Sequence, residues 1–318
     1  MIKIAIVGTG IIGLSHINAI KQIDGCELVC LCDVNEAVVK PLAEENNVPY
    51  VLDYKEIPGK FDVDAVILNL PHFLHCESTV FFLDSGINVF IEKPMANTVA
   101  ECDAMIEAAK RNGKKLAVAH IQRYFNAIAK MKEIYDSGEL GKFCMYDGCR
   151  SLNYFSDARP RWFLNKKLSG GGILMNFGAH QLDKIQYITG ERVTEIHSNC
   201  KNYANDFDVE GHAQVFGRLS GGASFTLAFS GYTGCEYFDL FYFTNGCMRA
   251  NGSSTIEVLR GKTGRWERIE GIATDGNEMV RELREFVKFL NGEEANIPDA
   301  EFGRDVIAAL EECYKNNK

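Results

Sequence analysis

The sequence predicts an α/β protein of two domains: an N-terminal doubly wound parallel sheet and a C-terminal α+β domain with a large, mostly antiparallel open sheet. Two observations support this fold class. Short apolar segments alternate with amphipathic segments over the first 121 residues, as in parallel strands joined by helical crossovers. After residue 122, segments of period-two alternation follow one another, which is typical of antiparallel sheets with one buried face. We therefore predict domains at residues 1–121 and 122–318.

The N-terminal domain is predicted to have strands at residues 2–7, 27–33, 65–70, 88–91 and 115–119, and helices at 11–23, 36–46, 75–85 and 99–111. In such a sheet the ligand binds beyond the carboxyl ends of the strands. The residues expected to border a cofactor there are Asn69, Leu70, Pro71, Glu92 and Lys93. His75, at the start of the next helix, is a further candidate for a cofactor neighbour.

A glycine motif follows the first strand and opens the first helix, in the run Gly8-Thr9-Gly10-Ile11-Ile12-Gly13. Gly8 permits the tight turn, Gly10 lets a pyrophosphate approach the backbone, and Gly13 lets the helix pack closely on the strand. The helix N-terminus at Ile11 and Ile12 then offers free N–H groups to the phosphates. A glycine turn without a ligand is the alternative interpretation.

Asp33 occupies the position at which dinucleotide-binding units have an acidic residue. The second predicted strand ends in Asp33, about twenty residues after Gly13, where a carboxylate binds the ribose hydroxyls. A carboxylate at this place repels a 2′-phosphate. The sequence therefore predicts NAD as the cofactor and disfavours NADP.

Composition excludes several classes of partner. The formal net charge of −9 and the pI near 5.4 argue against nucleic acid and anionic membranes. The 11 cysteines contain no CxxC pair, which favours reduced thiols over a disulfide framework or a zinc site. The chain enters its first strand at Ile2, and no apolar run is long enough for a membrane span. We expect a cytoplasmic protein without a metal site.

The run Glu92-Lys93-Pro94 follows an apolar strand. Proline ends the hydrogen-bond ladder and favours an extended conformation of the residue before it. A lysine fixed at the mouth of a parallel sheet can transfer a proton to or from a substrate. The tripeptide alone favours a simpler interpretation, in which the ammonium of Lys93 reaches solvent. The rest of the chain favours the catalytic one.

The C-terminal domain is predicted to have strands at 143–148, 195–199, 213–219, 223–230, 237–244 and 255–259, and helices at 127–135, 278–290 and 302–314, with a glycine-rich turn and helix over 170–188. In the segment 223–230, Phe225, Leu227 and Phe229 alternate with small or polar residues. The small, polar face is compatible with packing on a partner subunit.

A polar stripe lies in the predicted turn and helix at 170–188. Asn176, His180 and Asp183 have the spacing i, i+4 and i+7, which places them on one helix face among apolar neighbours. His180 is suited to accept a hydroxyl proton near neutral pH, and Asp183 to hold its tautomer. A buried histidine is more often structural, and a metal site at this stripe is a further alternative. Trp162 either stacks on a ring or packs in the core.

Taken together, these motifs resemble the Gfo/Idh/MocA oxidoreductases, the group of glucose–fructose oxidoreductase and inositol dehydrogenase. The resemblance rests on the glycine motif and on the segments Leu70-Pro71…His75-Cys76-Glu77, Glu92-Lys93-Pro94, Gln122-Arg123-Tyr124, Ser137-Gly138-Glu139-Leu140-Gly141, Arg161-Trp162 and Gly178-Ala179-His180-Gln181-Leu182-Asp183. It implies a Rossmann domain, a C-terminal domain with an open sheet, and dimers or tetramers formed through that sheet.

The resemblance also implies hydride transfer between a nicotinamide and a carbinol carbon of a sugar, inositol or related polyol. Lys93 and His180 match the family's catalytic positions, and Asp183 a substrate-contacting one. Arg123 and Trp162 are candidates to line the cofactor and substrate pocket. Asn176 replaces an aspartate that many members carry, and an amide cannot accept a proton.

Two other functions fit the same sequence. Some proteins that resemble this family retain NAD and cleave a glycosidic bond through transient oxidation. The architecture also serves as a non-catalytic ligand sensor. The joint presence of Lys93 and His180 favours a dehydrogenase over a sensor.

Overall fold

The computed structural model describes residues 1–204, 206–261, 264–272 and 274–317. These residues form two compact units. The first comprises Met1–Ile121 and Gly276–Arg304, and the second comprises Gln122–Asp275 and Asp305–Lys318. The segment Gly276–Arg304, which the sequence analysis placed in the second domain, is thus grouped with the first unit.

The first unit is built on a six-stranded sheet with the order β3-β2-β1-β4-β5-β6, in which all neighbours are parallel. The predicted doubly wound parallel sheet is confirmed. The strands are β1 (Ile2–Val7), β2 (Cys26–Cys32), β3 (Tyr50–Val51), β4 (Ala65–Leu68), β5 (Asn88–Glu92) and β6 (Leu116–Ala119). The helices among them are α1 (Ile11–Ile20), α2 (Glu36–Asn46), α3 (Ile57–Lys60), α4 (His75–Asp84) and α5 (Val99–Asn112).

The sequence analysis missed β3 and α3, because elements of two and four residues are too short to show a period. The start of α5, by contrast, has a chemical signal. The Thr98 side chain accepts from the N–H of Glu101, and the Glu101 carboxylate accepts from the N–H of Thr98. Gly113, with φ of 59°, ends this helix.

A late helix, α9 (Glu278–Asn291), completes the core of the first unit. Its residues Val280, Leu283 and Phe286 are buried in the same apolar cluster as Ile4 and Ile6 of β1. The ring of Phe286 stacks on that of Phe90 in β5, with centroids 4.7 Å apart. This packing explains why the segment Gly276–Arg304 belongs to the first unit.

The second unit is built on an eight-stranded sheet with the order β14-β13-β12-β11-β7-β10-β9-β8. Only β7 and β10 pair in parallel, so the predicted mostly antiparallel sheet is confirmed. The strands are β7 (Phe143–Ser151), β8 (Val193–Lys201), β9 (His212–Leu219), β10 (Ser224–Ser230), β11 (Tyr237–Phe243), β12 (Gly246–Asn251), β13 (Thr255–Arg260) and β14 (Trp266–Ile269). The sequence analysis missed β12 and β14.

The helices of the second unit are α6 (Asn126–Ser137), α7 (Lys166–Ser169), α8 (Ala179–Thr189) and the end of α10 (Ala300–Lys315). The predicted glycine-rich turn and helix at 170–188 are found, but the helix is not regular over its whole length. The short helix α7 ends at Gly170, a π-helical turn covers Leu174–Gly178, and α8 begins only at Ala179. None of the helices in the described ranges is both long and apolar enough to cross a membrane.

Candidate active site

The glycine loop after β1 has the shape of a dinucleotide cradle. A Cβ on Gly8 would lie 2.4 Å from the carbonyl oxygen of Asn69, and one on Gly13 would lie 2.1 Å from that of Gly8. A Cβ on Gly10 would meet nothing within 4 Å. Gly8 and Gly13 are therefore required by the packing of the chain, whereas Gly10 leaves open space above the loop. A pyrophosphate fits this open space.

The start of α1 faces the same open space. Gly10 is the N-cap, and no side chain of the described residues caps the helix there. Ile11 and Ile12 are 87% and 44% exposed. Because the first N–H groups of a helix have no partner within it, this terminus is suited to bind an anion.

The carboxylate of Asp33 is held beside the glycine loop at the end of β2. Its Oδ2 accepts from the backbone N–H of Thr9 at 2.8 Å and from the Thr9 hydroxyl at 3.1 Å. Its Oδ1 accepts from the N–H of Asn35 at 3.0 Å. The chain thus fixes the carboxylate that was predicted to bind the ribose. The sequence analysis missed Thr9, although its place inside the glycine motif is a local signal.

The loops after β4 and β5 are connected by a buried histidine. The Asn69 amide donates to the carbonyl of Gly8 at 3.3 Å. His75 is fully buried, with Nδ1 2.9 Å from the Pro94 carbonyl oxygen and Nε2 2.8 Å from that of Leu70. Burial lowers the pKa of His75, while both carbonyls act in the opposite direction. The imidazole of His75 therefore holds the backbone of both loops in place, at Leu70 and at Pro94. Pro71, a predicted neighbour of the cofactor, is the residue after Leu70.

The end of β5 presents Lys93. Glu92 accepts from the backbone N–H of Lys93 at 3.1 Å, and its other carboxylate oxygen lies 3.5 Å from Nε2 of His16. His16 is a fully buried residue of α1 that the sequence analysis did not single out. Lys93 is half-buried, and the peptide bond to Pro94 is cis. Glu92 thus connects the backbone of Lys93 to the first helix.

In the second unit, a buried carboxylate organises the turn before α8. Glu210 accepts from the N–H groups of Gly172 and Leu174 at 2.8 and 2.9 Å, and from the Tyr314 hydroxyl at 2.9 Å. A Cβ on Gly172 would lie 2.1 Å from the Glu210 carbonyl oxygen. Desolvation raises the pKa of Glu210, and these hydrogen bonds act against that shift. The glycine-rich turn is therefore shaped around this side chain, which the sequence analysis missed.

The predicted stripe Asn176, His180 and Asp183 is buried, with 6%, 8% and 0% of the side chains exposed. The spacing argument assumed a regular helix. Asn176 instead lies in the π-helical turn, where a turn holds more residues, and only His180 and Asp183 lie on α8. Burial raises the pKa of Tyr154 to about 12, and Asn176 acts in the opposite direction.

Two further predicted site residues contact protein groups in the second unit. Nε of Arg123 donates to Oδ1 of Asp183 at 2.7 Å, and the guanidinium lies 4.9 Å from the centre of the Tyr187 ring. Trp162 stacks on Phe163, with ring centroids 3.7 Å apart. Arg123 therefore holds the acid that the sequence analysis expected to support His180.

A buried ionic network lies between α8 and the sheet, and the sequence analysis did not predict it. Nζ of Lys184 donates to Oδ2 of Asp239 at 2.7 Å, and both side chains are fully buried. The Tyr146 hydroxyl lies 2.5 Å from Oδ1 of Asp239 and 3.0 Å from the side-chain amide of Gln181. Burial and the charge of Asp239 raise the pKa of Tyr146 well above its usual value.

His180 borders a small cavity of about 10 Å³. The other residues that line it are Gln122, Arg150, Phe177, Gln181 and Tyr237. This volume holds about one water molecule. In the described part of the chain, no group of three or more His, Cys, Asp or Glu side chains could hold a metal ion.

Comparison with known proteins assigns the chain to a family. Residues 2–120 match the Gfo/Idh/MocA oxidoreductase family with an NAD-binding Rossmann fold, and residues 128–259 match the Gfo/Idh/MocA C-terminal domain. The chain is a Gfo/Idh/MocA protein. The resemblance stated from the motifs is therefore confirmed, as is the NAD-binding fold of the first unit.

Similar proteins in this family carry different names. A 2,7-anhydro-N-acetylneuraminate hydratase of Mediterraneibacter gnavus is 28% identical over 209 residues, which are 65% of this chain and 54% of the relative. A scyllo-inositol 2-dehydrogenase (NAD(+)) of Bacillus subtilis is 28% identical over 213 residues, which are 65% of this chain and 59% of the relative. The matched segments thus span little more than half the length of these relatives.

A solved structure shows the same fold. The crystal structure of aldose-aldose oxidoreductase from Caulobacter crescentus superposes with a TM-score of 0.90 and covers 99% of this chain and 97% of that one. The sequence identity is 23%, so the likeness supports the architecture of the Gfo/Idh/MocA fold and does not extend to the substrate.

Proposed function

We propose that this protein is an NAD-dependent dehydrogenase that transfers a hydride between the nicotinamide and a carbinol carbon of a sugar, inositol or related polyol. The observation that supports it most is the carboxylate of Asp33, held by Thr9 beside the open face above Gly10. This arrangement fits the ribose and pyrophosphate of a dinucleotide without a 2′-phosphate. The inositol dehydrogenase relative supports the substrate class.

The chemistry divides between cofactor and protein. When bound, NAD would supply an acceptor for the hydride and its two electrons, and the carbinol hydroxyl would lose its proton as the carbonyl forms. We assign this proton transfer to Lys93 and His180, which together offer an amine and an imidazole. Such transfer contributes about a hundredfold to ten-thousandfold to the rate.

Asn176 and Asp183 are proposed to position the substrate and the imidazole. Asn176 is assigned an orienting role, because an amide donates and accepts hydrogen bonds but takes no proton. The ion pair of Asp183 with Arg123 fixes the position of that carboxylate, as support of an imidazolium requires. Arg123 would then act through Asp183, while Trp162 remains a proposed contact of cofactor or substrate.

A second candidate is an enzyme that retains NAD and oxidises its substrate only transiently. The hydratase named among the relatives favours it, because a hydration changes no net oxidation state. The two candidates differ in one observable. A dehydrogenase accumulates NADH in proportion to product, whereas the second type converts substrate with no net reduction of NAD. A ligand sensor would do neither.

We also propose a homodimer or homotetramer formed through the open face of the eight-stranded sheet. Phe216 is 44% exposed on this face, and Phe238, Leu240 and Tyr242 are half-buried there. Such a contiguous apolar surface is typical of an interface. A cytoplasmic location is proposed because all 11 cysteines are free thiols.

The experiment that tests the proposal is a reduction screen with purified protein. NADH formation is followed with inositols, aldoses, sugar acids and amino sugars, and NADP is run in parallel. We expect reduction of NAD with at least one compound and little reduction of NADP. Conversion of a substrate without NADH would favour the transient-oxidation candidate. Equal use of NADP would contradict the role of Asp33.

A further inference from the structure

We propose that Arg150 binds a carboxylate of the substrate, so that the preferred substrate is a sugar acid or polyol acid. This inference rests on the proposed dehydrogenase function and names its substrate class. Arg150 is the penultimate residue of β7, with the period-two spacing that places it on the same sheet face as Tyr146. That face contacts α8, because the Tyr146 hydroxyl reaches Gln181.

Two aromatic rings hold the guanidinium of Arg150 in place. Its central carbon lies 3.9 Å from the centre of the Tyr237 ring and 5.3 Å from that of Phe177. Both rings line the small cavity beside His180. Stacking on the faces of aromatic rings fixes the plane of a guanidinium and leaves its N–H edge available for a planar acceptor.

The hydrogen-bonding state of Arg150 also indicates a ligand. Among the described residues, no carboxylate forms an ion pair with Arg150, and its buried Nε has no hydrogen-bond partner. A buried N–H of a charged group without an acceptor destabilises the protein. A bound carboxylate would accept from two N–H groups of the fork at once.

The charges around His180 are not balanced by the protein. Two buried carboxylates of this region form ion pairs, Asp183 with Arg123 and Asp239 with Lys184. A third, Glu210, accepts from two backbone N–H groups and the Tyr314 hydroxyl. The charge of Arg150 is therefore left without a paired acid. An anionic substrate complements this excess, whereas a neutral polyol leaves it uncompensated.

A second arginine near Asn176 has the same character. The guanidinium of Arg159 stacks 3.9 Å from the centre of the Tyr154 ring, and its Nε donates to the Tyr154 carbonyl at 2.5 Å. No ion pair of Arg159 occurs within the described ranges. The Tyr154 ring lies next to Phe177, with centroids 6.3 Å apart. Arg150 and Arg159 thus both stack on aromatic rings of this region, and neither forms an ion pair among the described residues. Their charges together make the potential near His180 more positive.

A carboxylate fits Arg150 better than a phosphate does. It is planar, as the guanidinium is, so both of its oxygens can lie in the plane of the fork. The oxygens of a phosphate monoester are arranged as a tetrahedron and do not all lie in that plane.

The test compares matched substrates in the wild type and in Arg150→Met. D-glucose, D-glucuronate and glucose 6-phosphate form one set, and D-galactose and D-galacturonate another. We expect kcat/KM for the acid to exceed that for its neutral partner by about tenfold or more. Arg150→Met should lower it for the acids by about tenfold to a hundredfold, mainly through KM, and should lower it to a clearly smaller extent for the neutral sugars.

The control is Arg249→Met in β12. Arg249 also stacks on an aromatic ring, 4.3 Å from the centre of Trp266, and pairs with Glu257 at 2.7 Å. Arg249→Met should change kcat/KM neither for the acids nor for the neutral sugars. A preference of the wild type for neutral sugars or for the phosphate would overturn the proposal, as would an equal loss for acids and neutral sugars in Arg150→Met.

Calorimetry separates this inference from the dehydrogenase function. D-glucuronate and D-galacturonate are titrated into the protein in the presence of NADH. Binding to the wild type that is lost in Arg150→Met supports the inference, even if no compound reduces NAD. No binding of either acid, or equal binding in the variant, overturns it.

A second variant, Arg150→Lys, serves if Arg150→Met does not fold. Lysine keeps the positive charge but lacks the planar fork, so Arg150→Lys should bind the acids at least fivefold more weakly. Unchanged binding in Arg150→Lys would overturn the inference.

Discussion

Arg123 and Asp183 form a buried ion pair, with Nε of the arginine 2.7 Å from Oδ1 of the aspartate. The side chains are 7% and 0% exposed. Arg123 lies in the short helical turn Ile121–Tyr124, and Asp183 lies one turn after His180 on α8. The pair therefore fixes the position of a carboxylate next to the proposed catalytic imidazole.

Removal of Arg123 is expected to destabilise the protein strongly. Arg123→Met leaves the buried charge of Asp183 without this cation, and breaking such a pair costs about 3–5 kcal/mol. The double variant Arg123→Met/Asp183→Leu should recover most of that loss, because no buried charge remains. Urea unfolding followed by circular dichroism measures all three proteins.

The exposed pair Arg111 and Asp84 is the matched control. Its side chains are 49% and 44% exposed, so Arg111→Met should change the unfolding midpoint little. A loss in Arg123→Met no larger than that in Arg111→Met would contradict the structural role of the buried pair.

Glu210 makes the stability depend on pH. Its pKa in the folded protein is raised above the ordinary value of 4.5, chiefly by desolvation. A raised pKa means that the folded state holds the proton more tightly. This contribution to stability is therefore fully present below pH 4.5 and is lost as the pH rises through the folded-state pKa.

Glu210→Gln isolates this effect, because glutamine has no titrating proton. The unfolding free energies of wild type and Glu210→Gln are compared at a series of pH values from below 4.5 to neutral. We expect the unfolding free energy of the wild type, relative to that of Glu210→Gln, to decrease as the pH rises and then to level off. An advantage that grows with pH would show that the hydrogen bonds of Gly172 and Leu174 outweigh desolvation.

Asp33 is expected to select NAD against NADP by charge. Asp33→Asn keeps an oxygen that can accept from Thr9 and removes the negative charge that repels a 2′-phosphate. Like-charge contacts cost several kcal/mol, so the ratio of kcat/KM for NADP over NAD should rise at least tenfold. The control is Asp103→Asn, which removes a carboxylate from an exposed ion pair with Arg304. It should leave the ratio of kcat/KM for NADP over NAD unchanged. An unchanged ratio in Asp33→Asn would contradict the assignment.

Local features of the site could be predicted from the sequence. The glycine loop and Asp33 lie within one strand–helix–strand segment, where spacing along the chain determines position in space. The steric need for Gly8 and Gly13, and the open space at Gly10, agree with the roles predicted for these glycines. The parallel and antiparallel sheets were predictable for the same reason, since strand periods are local.

Contacts between distant residues were not predictable. Arg123 and Asp183 are 60 positions apart, and Lys184 and Asp239 are 55 apart, so no local pattern indicates either pair. The carboxylate of Glu210 reaches Gly172 across 38 positions. The π-helical turn at Leu174–Gly178 was missed because a periodicity argument assumes a regular helix. The packing of α9 on the first sheet was also missed. It depends on which apolar surface of that sheet the other helices leave uncovered, and no pattern within α9 indicates this.

The most direct test of the proposed function is the Lys93→Met variant, assayed with NAD and the best substrate of the screen. Turnover should fall by about a hundredfold or more, because proton transfer is removed, while the Kd of NAD measured by calorimetry stays within about twofold. Lys110→Met, an exposed lysine of α5, is the control and should retain full activity. Wild-type turnover by Lys93→Met would contradict the account.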